Sequence, residues 1–155
     1  MTKQIEIIRT LREFVLSNVK DLTTEQLNKI PEGLGNNIIW NLAHLISAQQ
    51  SICYIRAGLD APLGEDFVNT YKPGTKPEKF IDAAEIERIK QLFFSTLDQL
   101  ETDYNKNIFT GYTTVTTRYG VALNNIEDGI NFLPFHEGYH MGVIMGLKRL
   151  VTKMI

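Results

Sequence analysis

The sequence lacks several features that mark particular classes of protein. It has one cysteine, Cys53, among 155 residues, so no internal disulfide can form. It has no run of about 18 apolar residues, and its first residues carry no signal-peptide core. We therefore expect a cytoplasmic protein that does not span a membrane.

A marked excess of one charge is also missing. The 16 Lys and Arg residues nearly balance the 18 Asp and Glu residues, for a formal net charge of -2, and no basic cluster is visible. Nucleic-acid binding depends on a concentrated positive face, so we expect no such partner. The hydrophobic fraction of 43% is ordinary for a globular protein. We expect one domain over residues 1–155.

Four segments have the spacing of amphipathic helices. The second is expected to begin after Asn36 or Asn37, which can cap it, and to continue to about Ile55. The third should begin at Asp82. The buried stripe predicted for the first helix is Ile5, Ile8, Leu11, Val15 and Val19, and that of the third is Ile86, Ile89, Phe93, Leu97 and Leu100.

The fourth helix should begin near Asn124 or Asn125, with a kink or break at Pro134. Two connecting segments lack helical periodicity. Residues 59–81, rich in proline and glycine, are predicted as a long ordered loop without a helix. The Thr-rich residues between 107 and 120 are predicted as a short extended segment or a hairpin arm. These elements predict an all-α fold.

The fourth helix contains the pattern H-E-x-x-H, from His136 through Glu137 to His140. Residues four apart in a helix differ by about 40° around its axis, so both imidazoles lie on one face. Two such imidazoles can bind one metal ion. A chance pair is the alternative, since the pattern has only three fixed positions.

The pattern is typical of zinc proteases, but the rest of the sequence argues against that class. Such enzymes take a third ligand downstream, from a Glu or His. Residues 141–155 contain no Asp, Glu or His, and the extended protease motif fails at Val143 and Gly146. A third protein ligand must therefore come from upstream, where His44 on the second helix is the only other histidine. A hydrogen-bonded core histidine is the alternative interpretation of His44.

The sequence around these histidines resembles the DinB-like family, named for DNA-damage-inducible proteins, which includes bacillithiol transferases and mycothiol-dependent isomerases. Asn37-x-x-Trp40-x-x-x-His44-Leu45 and His136-Glu137-x-x-His140-x-Gly142 carry the resemblance, which extends over nearly the whole chain. The sequence departs from the family at Ala43, where Gly is frequent, and at Pro134.

The resemblance implies a four-helix bundle of up-down-down-up topology that holds one divalent ion, zinc or nickel, through His44, His136 and His140. It also implies a small-molecule substrate, with a low-molecular-weight thiol as co-substrate. It places Tyr112, Arg118 and Tyr119 at the mouth of the site.

The leading hypothesis for function is a metal-dependent enzyme of the thiol-transferase type. Glu137 is the candidate catalytic residue, as a base or as an orienting group, with a solvated surface role as the alternative. Cys53 lies about 180° around its helix from His44, so we expect it in the core. The other hypotheses are a metal-dependent hydrolase, a non-catalytic metal-binding or stress-associated interaction protein, and a helical scaffold with structural histidines.

The fourth helix also predicts a homodimer. Gly138, Gly142 and Gly146 recur every four residues on the side opposite the histidines, together with Phe135 and Tyr139. Glycine in a helix costs roughly 1 kcal/mol relative to alanine, so three on one stripe indicate a closely packed backbone. That backbone belongs either to a second copy or to another helix of the same bundle.

Overall fold

The computed structural model of the protein describes residues 2–152, and most of them are helical. A turn of 3₁₀ helix at Ile55–Ala57 follows the long helix that ends at Cys53, and two short strands, Val115–Thr116 and Ala122–Leu123, pair antiparallel. The all-α prediction is confirmed. The elements are α1 (Thr2–Val19), α2 (Thr24–Asn28), α3 (Ile38–Cys53), α4 (Glu65–Tyr71), α5 (Ala83–Asn105), β1 (Val115–Thr116), β2 (Ala122–Leu123) and α6 (Ile126–Thr152).

The four long helices pack around two hydrophobic clusters, and each cluster contains residues from all four helices. Both α1 and α3 pack against α5 and against α6, so each long helix lies between two others. Almost all residues of α3 are buried, as its apolar sequence indicates. The up-down-down-up order of helix directions stays a prediction. No helix within residues 2–152 combines the length and apolar character needed to cross a membrane.

Helix starts follow the capping residues seen in the sequence. The side chain of Asn37 accepts a hydrogen bond of 2.9 Å from the backbone N–H of Trp40, and α3 begins at the next residue, Ile38. Asp82 caps α5 in the same way through the N–H of Glu85. These bonds satisfy backbone donors that a helix leaves unpaired in its first turn.

The loop predicted over residues 59–81 contains a helix, α4, so that prediction was wrong for part of the segment. Its first turn carries Glu65 and Asp66, which complement the positive end of the helix dipole. Phe67, Val68 and Tyr71 are buried where α4 packs on α3. Seven residues make only about two turns, too few for a helical period to emerge from the sequence.

Pro134 lies inside α6, which runs unbroken from Ile126 to Thr152. The sequence predicted a kink or a break there; no break is observed, and the kink stays a prediction. Proline inside a helix costs about 3 kcal/mol, through a lost hydrogen bond and a steric clash. Packing of α6 on α1 and on α3 offsets that cost.

The buried side of α1 differs from prediction at one position. Leu11 is only partly buried, and Arg12, one residue later, has no exposed surface. Its Nε and Nη2 atoms donate hydrogen bonds of 2.9 and 2.6 Å to Oε1 of Glu137 on α6, and Nη1 donates one of 2.7 Å to the Phe93 carbonyl on α5. This ion pair therefore ties three long helices together in the core.

We predict that Arg12→Met destabilises the fold by about 3–5 kcal/mol, because it leaves Glu137 buried without its partner. The double variant Arg12→Met/Glu137→Leu should recover most of that loss, since it removes both buried charges. Urea denaturation measures both values.

Arg9→Met is the matched control. It breaks a pair of similar length, 2.6 Å, between Arg9 and the exposed Asp98, and should cost less than about 1 kcal/mol. Equal losses for Arg9→Met and Arg12→Met would contradict a special role of the buried pair.

Candidate metal centre

The three histidines of the chain meet between α3 and α6. His44 lies in the middle of α3, and His136 and His140 lie one turn apart on α6. Their ring centroids are 4.6 to 5.2 Å apart, and one nitrogen from each ring lies within 4.8 Å of the others. Their convergence, predicted from H-E-x-x-H and the lone upstream histidine, is what the structure shows.

A backbone carbonyl fixes the tautomer of His44. Nδ1 of His44 lies 2.7 Å from the carbonyl oxygen of Tyr71, the last residue of α4. A carbonyl oxygen only accepts, so Nδ1 carries the proton and donates it. The lone pair of the neutral ring is then on Nε2, the nitrogen left for a ligand.

The side chain of Asn41 fixes the tautomer of His140. Nδ1 of His140 lies 2.9 Å from Oδ1 of Asn41, whose Nδ2 donates to the Asn37 carbonyl at 2.7 Å and to Asn36 Oδ1 at 3.1 Å. Because the amide nitrogen is committed to those two acceptors, Oδ1 must be the atom that faces His140. His140 therefore donates from Nδ1, and its lone pair is also on Nε2.

Burial keeps the imidazoles neutral. It lowers the pKa of His44, and it lowers the pKa of His136 and of His140 to about 3. The charge of Arg118 is a smaller contribution to the lowered pKa of each of the three rings. An imidazole binds a metal ion only in its neutral form, so at neutral pH the three rings are already in the ligating state.

A cavity of about 400 Å³ opens onto the three rings. Trp40 stacks on His44 with a centroid distance of 4.9 Å and an angle of 9° between the rings, and it forms part of the wall. Phe132 and Tyr139 of α6 also line the cavity. No Asp, Glu or Cys is found among the described residues that line it. The rings therefore have an open side to which no described carboxylate or thiol contributes.

Glu137 does not line this cavity. It is buried on the side of α6 that carries the Arg12 ion pair, so the solvated surface position considered for it is not observed. Burial raises the pKa of the Glu137 carboxyl, and the charge of Arg12 opposes that rise. Glu137 adjoins His136 in sequence but contributes to a different set of contacts.

The other residues singled out in the sequence divide between the site and the core. Cys53 is fully buried in the core, as predicted. Arg118 and Tyr119 line the cavity, as the resemblance implied. Tyr112 does not line it: its hydroxyl donates to the carbonyl of Ile52 at 2.9 Å, and only Ile52 of this pair lines the cavity.

Two groups that hold the histidines were missed in the sequence. The Tyr71 carbonyl belongs to the backbone of a helix that was not predicted, so no side-chain signal could identify it. Asn41 had a usable signal: it is a polar residue three positions before His44, in the apolar first half of α3. A polar group buried there needs a partner, and His140 is that partner.

The donor set fits a divalent transition ion. Three neutral imidazoles with an open side are typical of catalytic rather than structural zinc sites. Hydrogen bonds from the other ring nitrogen to a carbonyl or amide, as in His44 and His140, are the usual support for such ligands.

Comparison with known proteins agrees with this description. No curated protein matches the chain. The family model of the DinB superfamily matches residues 7–144, a segment that contains all three histidines and most of the helical core. Because this match covers most of the chain, the chain is a member of the DinB superfamily.

Proposed function

We propose that the protein binds one divalent metal ion, zinc or nickel, through His44, His136 and His140, and that it is a metal-dependent enzyme of the thiol-transferase type. The observation that carries the proposal is the buried cluster of three neutral imidazoles open to a cavity. A bound ion would lower the pKa of a coordinated thiol or water, or polarise a substrate.

The chain's own residues orient the ligands and shape the pocket. Tyr71 and Asn41 hold the rings of His44 and His140 with Nε2 free. Aromatic walls from Trp40, Phe132 and Tyr139 reduce contact with water, and the cavity has the size for a small-molecule substrate with a thiol as co-substrate. We assign Glu137 a positioning role, through its bond to Arg12, in preference to that of a base.

Two other functions remain as alternatives. A metal-dependent hydrolase would use the same open site with water in place of a thiol. A non-catalytic metal-binding or stress-associated interaction protein would use the three histidines without turnover.

The first prediction for this function is one ion per chain in wild type. Elemental analysis of protein purified without added metal and calorimetric titration of the metal-free form measure it. His44→Ala, His136→Ala and His140→Ala should each weaken binding more than about 100-fold, because each removes one of three ligands. Asn41→Ala, which removes only the support of His140, should weaken it about 10- to 100-fold.

Val143→Ala is the control, because Val143 lines the cavity but has no donor side chain. It should bind metal as wild type does. Wild-type affinity in the His44→Ala variant would exclude His44 as a ligand and reduce the site to the pair on α6.

The second prediction separates the enzyme classes. With a low-molecular-weight thiol and an activated alkyl halide, metal-loaded protein should accelerate thioether formation, and a chelator should abolish the acceleration until the ion is returned. The ion should also keep at least one exchangeable ligand in X-ray absorption spectra.

Ester hydrolysis without thiol dependence would favour the hydrolase. An ion enclosed by four protein ligands, with no turnover of either kind, would favour the non-catalytic protein and reject both enzymes.

We also propose that the protein is a homodimer through the outer face of α6. A Cβ built on Gly138, Gly142 or Gly146 meets no atom within 4 Å, so no other helix of the described chain explains these glycines. Phe135 and Tyr139 are 52% and 49% exposed, but both also contact Tyr119 of the hairpin. Tyr139 lines the histidine cavity, so the prediction that it lies opposite the histidines was wrong, and the glycines define the proposed face. An apolar face of this kind, with small residues that allow close approach, suits a symmetric contact with a second copy.

The third prediction is therefore a dimer in solution that Gly142→Leu converts to monomer. Leucine favours helix more than glycine does, so the variant should fold at least as stably and lose only the contact. Ala84→Leu, which adds bulk at an exposed position of α5, should stay dimeric. Light scattering measures the mass; a monomeric wild type rejects the proposal, and a dimer that survives Gly142→Leu moves the interface elsewhere.

A further inference from the structure

The hairpin before α6 presents a charged residue to the site. Thr117 and Gly120 close a turn between β1 and β2, with a hydrogen bond of 2.9 Å from the Gly120 N–H to the Thr117 carbonyl. Gly120 has a φ of 80°, which favours glycine. Arg118 and Tyr119 occupy the two central positions of this turn, and both line the cavity over the histidines.

Aromatic contacts hold the turn against α6. The ring of Tyr119 lies 5.0 Å from that of Phe135, 5.9 Å from Tyr139 and 6.3 Å from Phe132, measured between centroids. On the other side of the hairpin, Leu123 of β2 is buried. Arg118 is therefore placed by a packed turn rather than by a free loop.

Arg118 has no partner within the described chain. Across residues 2–152 its guanidinium takes part in no ion pair and donates no hydrogen bond. It is also the one fully charged side chain among the described residues that line the cavity. All of its hydrogen-bond donors are thus available to a ligand.

The charge balance of the site calls for an anion. Three neutral histidines leave the two positive charges of a bound divalent ion uncompensated, and Arg118 adds a third. A thiolate bound to such an ion would supply one negative charge. No carboxylate of the described lining supplies another.

Resting on the proposed metal-dependent function, we propose that Arg118 is the specificity-determining residue of the site and binds a carboxylate group carried by the thiol or by its acceptor. A planar carboxylate matches the guanidinium, which can donate two parallel hydrogen bonds to it. The substrate class is therefore a small molecule with an anionic carboxylate, held between Arg118 and the histidine centre.

The test uses the full-length protein loaded with Co²⁺, whose absorption changes when a thiolate coordinates it. The probes are 3-mercaptopropionate and its uncharged amide, 3-mercaptopropionamide, titrated at low ionic strength because Arg118 is exposed and salt would screen it. The measured quantity is the ratio of the two Kd values, amide over acid, so that any direct contact of the carboxylate with cobalt cancels between variants.

We expect Arg118→Gln to lower this ratio about tenfold or more, with the affinity for the amide unchanged. Arg118→Lys should give an intermediate ratio, since it keeps the charge but loses the paired donors. Arg9→Gln, which removes an arginine that pairs with Asp98 outside the cavity, should keep the wild-type ratio.

An Arg118→Gln ratio equal to that of wild type overturns the proposal, as does a wild-type protein that coordinates both thiols without preference. Failure of wild type to bind Co²⁺ at all overturns the metal site itself, and this inference with it. That failure is recognised by the absence of any cobalt absorption before thiol is added.

Discussion

One buried ion pair determines which face of α6 points to which neighbouring helix. Glu137 accepts two hydrogen bonds from Arg12, and neither side chain has more than 3% of its surface exposed. Leaving either charge without the other in the core would cost several kcal/mol, so α6 must direct Glu137 towards α1 and α5. Successive helical residues are about 100° apart, and His136 and His140 then face α3 instead. The same motif therefore supplies both a structural anchor and two imidazoles of the candidate metal centre.

Burial gives these imidazoles their chemical state. Desolvation lowers the pKa of each ring, so that no proton competes for the nitrogen at neutral pH. Hydrogen bonds from Nδ1 to the Tyr71 carbonyl and to Asn41 then leave Nε2 of His44 and His140 free. Catalytic metal sites need preformed neutral ligands and an open position, and both conditions hold here without help from a carboxylate.

Outside the bundle, two short elements complete the site. The α4 helix ends at Tyr71, whose carbonyl orients His44, and the β1–β2 hairpin brings Arg118 over the cavity. Each packs on a long helix, and each is too short to be stable alone. The histidines therefore lie on long helices, whereas the groups that orient His44 and cover the cavity lie on short connecting elements.

Sequence alone determined the long helices, because their apolar periods and caps such as Asn37 and Asp82 are local. It also predicted that the three histidines come together, since H-E-x-x-H places two of them on one helix face and the chain has only one other histidine. It did not determine α4, whose seven residues are stabilised by burial against α3. Nor did it determine the role of Glu137, because a partner 125 residues away in sequence decides whether that carboxylate meets water, metal or Arg12. Local patterns specify which residues are able to act, whereas only packing between distant helices decides which of them face each other.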